Sequence, residues 1–205
     1  MNRIEAALVT LVGVLDRNGR RAALVGGLAV STRTEPRFTR DIDLAVAVAN
    51  DEEAEALVRG LLAEGFSTIA LVEQETTRRL ATVRVALPRE TVVGVVGDLL
   101  FASSGIESLV VADAEPLEVF PGLFVPVARV GHLIALKLLS RDDRDRPQDL
   151  VDLNALFRVA NNEEVTRARD AVQRIEQSGF SRGRDLLGAL AKWLRDGPGG
   201  SQTPP

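Results

Sequence analysis

No cysteine occurs among the 205 residues, and histidine occurs once, at His132. Without thiols there is no disulfide scaffold, no thiolate zinc site and no cysteine nucleophile. A lone imidazole rules out a multi-histidine metal centre and leaves little room for chymotrypsin-like chemistry. Any reaction must therefore run on carboxylates, lysine, arginine and backbone. No stretch approaches the roughly 18 uninterrupted apolar residues of a membrane span. The start Met1-Asn2-Arg3-Ile4-Glu5 is unlike a secretory signal, so a cytoplasmic protein with no membrane association is expected. A basic excess is missing too: 25 Lys and Arg against 29 Asp and Glu leave a formal charge of -4. That balance creates no global field for nucleic acid and leaves a local patch open. What is present, 45% hydrophobic and 26% charged residues, suits one soluble domain, or one domain with a small appendage, with chain enough for a real core.

The hydrophobic pattern divides the chain in two. Residues 2–18 read as a helix ended by Gly19, because Ile4, Leu8, Leu11, Val12 and Leu15 recur at helical spacing. An apolar run from Ala22 to Val25 meets Gly26-Gly27, and residues 41–48 read as a strand. Asn50 is suited to cap a helix with Ala54, Leu57, Val58, Leu61 and Leu62 on its buried stripe, ended by Gly65. Residues 66–73, 79–87 and 91–101 are β-like, and two brief strands flank Pro121-Gly122. From Val130 the period becomes helical over 130–141, 147–160, 163–176 and 182–195. The expected fold is α/β (α+β): an α/β domain over 1–129, a helical domain over 130–196, and a disordered tail over 197–205 rich in Gly, Ser and Pro.

The chemistry concentrates in Asp41-Ile42-Asp43-Leu44. Residues two apart on a strand project from one face, so Asp41 and Asp43 sit side by side while Ile42 and Leu44 point into the core. Aspartate is disfavoured in strands and like charges repel, so something positive should lie close. Arginines 33, 37 and 40 offer surface ion pairs, and a divalent cation such as magnesium is the alternative. Gly26-Gly27 follows a strand at the start of a helix, where small residues let backbone N–H groups approach phosphate, though a tight turn alone also needs glycine. A third carboxylate, Asp98, interrupts a valine-rich run, either as a ligand or as a turn cap.

Val25-Gly26-Gly27, thirteen further residues, then Asp41-Ile42-Asp43-Leu44 with the later Asp98 resemble the DNA polymerase β-like nucleotidyltransferase superfamily. More narrowly, Leu24 to Val30 followed by Arg37 to Leu44 is similar to the AbiEii type of nucleotidyltransferase toxins from bacterial toxin–antitoxin systems. Leu133 to Leu138, Arg141, Arg144, Arg146, Asp149-Leu150 and Asp152-Leu153 are similar to that family's downstream block. The resemblance spans residues 22 to about 156 and leaves out the final helices. Many superfamily members carry serine after the first glycine, whereas Gly27 here has only backbone donors.

The resemblance implies a mixed sheet flanked by helices and followed by a helical bundle. It implies transfer of a nucleoside monophosphate from an NTP to a hydroxyl of RNA, such as tRNA, or of protein, with a cognate antitoxin as partner. Asp41, Asp43 and Asp98 would hold two magnesium ions, with Asp98 near the attacking hydroxyl, and Gly26, Gly27, Arg40 and Lys137 would meet the nucleotide. Lys137 stands out without the resemblance. Val130, Leu133, Ile134 and Leu138 put it on an apolar stripe, where its ammonium needs an anion, either a nucleotide phosphate or Asp149 or Asp152. His132 reads as a buried structural residue, and the basic carboxy-terminal helices as a solvated face that a polyanion could also use. Two other readings stay open: a non-catalytic nucleotide- or partner-binding relative, and a small-molecule (antibiotic) nucleotidyltransferase whose pocket would be acidic.

Overall fold

The computed structural model describes residues 2–37, 39, 41–74, 77–88, 94–141 and 147–197. The elements run α1 (Arg3–Arg17), β1 (Ala22–Val25), α2 (Gly26–Arg33), β2 (Asp41–Val46), α3 (Asp51–Ala63), β3 (Ser67–Glu73), β4 (Leu80–Ala86), β5 (Val96–Leu100), α4 (Glu107–Asp113), β6 (Glu115–Phe120), β7 (Leu123–Val127), α5 (Val130–Ser140), α6 (Pro147–Val159), α7 (Asn162–Gln177) and α8 (Leu186–Asp196). Seven strands form one mixed sheet in the order β3-β4-β5-β2-β1-β7-β6. β2 lies antiparallel to β1 and parallel to β5, while β4 runs antiparallel to β5.

Local chemistry explains most boundaries. Asn2 and Glu5 form a reciprocal capping box on α1, and Asn50 and Asn161 accept from the N–H of Glu53 and Glu164 to start α3 and α7. The last helix starts four residues later than its hydrophobic pattern suggests. Arg182 and Gly183 both have positive φ, and Asp185 then caps α8 by accepting from Gly188. The proposed strand 91–101 is ordered as β5 over 96–100, and residues 89–93 lie outside the described residues, as does the tail from 198.

Leu8, Leu11 and Leu15 of α1 are buried with Leu24, Ile42, Leu44 and Leu99 of the sheet. Gly97 belongs to this packing: a Cβ there would stand 2.8 Å from Leu11 Cδ1. Strand alternation thus gives β2 and β5 one face turned to the core and another free to carry Asp41, Asp43 and Asp98. Strands end at Val127, and buried residues of α5 and α7, among them Leu133, Ile134, Ala168 and Val172, join the same hydrophobic core. No helix among the described residues is long and apolar enough to cross a membrane.

Candidate active site

Four adjacent strands line up the charged residues. Val25 of β1 pairs with Asp43 of β2, Asp43 with Asp98 of β5, and Asp98 with Arg84 of β4. Cross-strand neighbours share a face, so the register places two carboxylates and a guanidinium in one row, with Asp41 two residues along from Asp43. Burial, and then the charge of Asp98, push the Asp43 carboxyl up to about 6, while Lys137 pulls it back. No hydrogen-bond donor or ion-pair partner meets the side chain of Asp41 or Asp43 among the described residues.

Gly26 makes this crowding feasible. Its φ is +65°, and a Cβ there would stand 1.9 Å from Asp43 Oδ2. Gly27 has a different neighbour: a Cβ would lie 2.7 Å from Arg37 Nη2. The two glycines open α2, whose N-cap Val25 supplies no side-chain acceptor, so the first N–H groups of the helix keep their hydrogen-bonding capacity. A pocket lined by Gly26, Asp43, Ser103, Ser104, Lys137 and Arg182 joins that helix start to the acidic row.

Lys137 of α5 has the protein anions that its apolar surroundings demand. Its Nζ lies 2.7 Å from Asp149 Oδ1 and 2.8 Å from Asp152 Oδ2, both on α6. Arg37 donates from Nε and Nη2 to Asp152 at 2.8 and 2.7 Å, and Ser140 donates to Asp149 at 3.1 Å. Two cations and two buried carboxylates thus balance each other at the edge of the pocket. Of the arginines after α5, Arg141 lies over the Trp193 ring at 5.9 Å, and Arg144 and Arg146 lie outside the described residues, as does Arg40.

Asp98 sits in mid-strand rather than at a turn, and both its oxygens are engaged. Arg84 donates to them from Nε at 2.8 Å and from Nη2 at 2.6 Å. Those bonds push the arginine's pKa above its ordinary value. Arg84 was not among the residues the sequence singled out. Its signal was there in the alternation of Thr82, Arg84 and Ala86 against buried Ala81, Val83 and Val85, but the partner strand is set only by the sheet. No three His, Asp or Glu side chains among the described residues are gathered closely enough to hold a metal ion. Asp41 and Asp43 still fit a hard divalent cation, since they are neighbouring carboxylates with no direct ion-pair or hydrogen-bond partner among the described residues, Lys137 and Arg84 acting on Asp43 only through their charge.

His132 is buried, 3.7 Å from Asp113, and burial pushes its pKa down to about 4. It packs away from the acidic row as a neutral structural residue. In the basic carboxy-terminal segment, Arg167 pairs with Asp113 and Glu163, and Arg184 donates to the carbonyl of Arg141.

The family model described as nucleotidyl transferase AbiEii toxin, type IV toxin–antitoxin system, matches residues 10–197. No curated protein matches the chain. Among solved structures, an antigenic nucleotidyltransferase-like protein from Paracoccidioides brasiliensis is similar at 18% identity, over 92% of each chain, with a TM-score of 0.55. The lincomycin-bound lincosamide antibiotic adenylyltransferase LnuA shares 12% identity over 75% of this chain and 96% of its own, with a TM-score of 0.47. MenT4, a nucleotidyltransferase toxin from Mycobacterium tuberculosis H37Rv, shares 16% over 93% and 94%, with a TM-score of 0.37. The first of these speaks to the fold alone, and the other two scores are too low to add to it.

Proposed function

This chain belongs to the AbiEii family of nucleotidyltransferase toxins, and on that premise we propose that it transfers a nucleoside monophosphate from an NTP to an acceptor hydroxyl, releasing pyrophosphate. The acceptor on this reading is an RNA such as tRNA, and a cognate antitoxin restrains the activity. The observation that carries the proposal is the Asp43 carboxyl group, crowded against Gly26 and in register with Asp98, with no direct ion-pair or hydrogen-bond partner among the described residues.

Asp41 and Asp43 would hold magnesium, and Asp98, bound through both oxygens to Arg84, stands beside that pair. When bound, the metal supplies Lewis-acid polarisation of the phosphate and of the acceptor hydroxyl. The chain's own residues do the positioning. The uncapped start of α2 presents N–H groups to the β and γ phosphates, with Gly26 and Gly27 allowing close approach. Lys137, held by Asp149 and Asp152, places a positive charge at the same pocket. Its side chain is fixed before substrate arrives, which reduces the entropy lost on binding.

Incubation of the purified protein with each α-labelled NTP, magnesium and total tRNA or lysate tests the reading. The wild type is expected to transfer label, and the Asp41→Ala, Asp43→Ala double variant to transfer none. An absence of label together with an absence of magnesium-dependent NTP binding in calorimetry would overturn it.

A further inference from the structure

Transfer by in-line displacement fixes which side of the acidic row each reactant occupies. The new bond from acceptor oxygen to the α-phosphorus forms opposite the breaking bond to pyrophosphate, so acceptor and leaving group lie on opposite sides of that phosphorus. The α2 start follows β1 with Arg37 against Gly27, and Lys137 lines one pocket with Val25, Gly26 and Asp43. With the triphosphate there, the acceptor approaches over β5 and β4, where adjacent strands are about 4.8 Å apart and Arg84, paired with Asp98, is the basic residue that the two strands carry.

Arg84 is built for such a contact. Asp98 grips Nε and Nη2, which orients the planar guanidinium, while Nη1 has no partner among the described residues. The side chain remains 43% exposed although its carboxylate partner is only 13% exposed. Beyond it the sheet is open: Ala70 is the residue opposite Arg84, and all seven residues of the edge strand β3 are exposed. An oriented guanidinium with a free edge matches the geometry of a phosphate.

We propose that Arg84, oriented by Asp98, is the acceptor-recognition residue of this site and binds a backbone phosphate of an RNA acceptor. This rests on the transferase reading above, and it assigns Asp98 to the arginine instead of to a metal ion. Arg84 touches the acceptor and leaves nucleotide and metal to the β1 side.

Four measurements on the wild type, Arg84→Gln and Arg84→Lys decide the matter: total-tRNA affinity across a salt series, NTP affinity by calorimetry, Mn2+ affinity by electron paramagnetic resonance, and label transfer. Arg84→Gln is expected to weaken tRNA binding about five- to tenfold and to reduce the salt slope by about 1. NTP and Mn2+ affinities should stay within about twofold, and Arg84→Lys should recover part of the tRNA affinity. Unchanged tRNA binding in Arg84→Gln, or no tRNA binding by the wild type, overturns the proposal. So does a parallel fall in Mn2+ affinity, which would make Arg84 a strut for Asp98 as a metal ligand. If tRNA binding depends on Arg84 but the wild type moves no label and binds no NTP with magnesium, the transferase reading falls and the phosphate contact stands. If label moves equally well in Arg84→Gln, the contact falls and the transferase reading stands.

Discussion

Asp43 carries a cost that a structural residue in its place would not. Its pKa is raised from 3.8 to about 6, so the native state holds the proton more tightly than the unfolded chain does. The sign follows: below about pH 4 both states are protonated and nothing is lost, and as pH rises toward 6 the ionised carboxylate increasingly destabilises the fold. Asp43→Asn is therefore expected to stabilise the metal-free protein by about 3 kcal/mol above pH 6, and hardly at all near pH 4, while abolishing label transfer. Urea melts in chelator at the two pH values check this. Gly26→Ala should act in the opposite sense. Positive φ and a Cβ 1.9 Å from Asp43 Oδ2 require the carboxylate or the helix start to move. The expected cost is about 1 to 3 kcal/mol, with loss of Mn2+ affinity as the accompanying measurement.

At the scale of elements, α2, α5 and α6 meet through charge as well as through apolar packing. Asp152 of α6 is 1% exposed at its side chain and joins Lys137 of α5 to Arg37, which lies just beyond α2. Removing Asp152 takes both of these ion pairs away and leaves Lys137 with Asp149 alone in apolar surroundings. Asp152→Ala is accordingly expected to destabilise the protein by about 3 to 5 kcal/mol, and a paired Lys137→Met change should recover part of that loss in a double-mutant cycle read by urea denaturation. The apolar stripe around Lys137 called for an anion, and the choice between phosphate and aspartate was undetermined until α6 packed on α5. For Asp98 the sequence leaves more undetermined. A turn cap and a metal ligand were both open, and the pairing with Arg84 depends on β4 and β5 being neighbours 14 residues apart in the chain.

Across the whole molecule the helical part shares its core with the sheet, and His132 reports on that union. It is 1% exposed, its Nδ1 is buried without a partner among the described residues, and its pKa is lowered from 6.5 to about 4. The unfolded chain therefore binds a proton that the native state refuses between those pH values. Stability from this group is complete above about pH 6.5 and falls as pH drops toward 4, by about 3 kcal/mol. His132→Leu should flatten this part of the profile, and the difference between variant and wild-type urea melts at pH 7 and pH 4.5 isolates it from the carboxylates common to both. Trp193, the chain's one tryptophan, stacks on Phe157 with ring centroids 5.1 Å apart, joining α8 to α6. Phe157→Ala is expected to cost about 3 kcal/mol and to shift tryptophan emission toward that of exposed indole.

Periodicity and spacing by themselves determined the order of helices and strands apart from α4, the acidic strand with its two carboxylates on one face, and the glycine turn before it. These are properties of neighbours along the chain: strand alternation puts Asp41 with Asp43, and Asn50 caps α3 whatever packs around it. Only the tertiary structure decided that Asp43 lies against Gly26, that Lys137 belongs to Asp149 and Asp152, and that Asp98 is held by Arg84. Each of those facts depends on which strands or helices become neighbours, and sheet order is set by burial across the entire core, to which no local stretch of sequence has access.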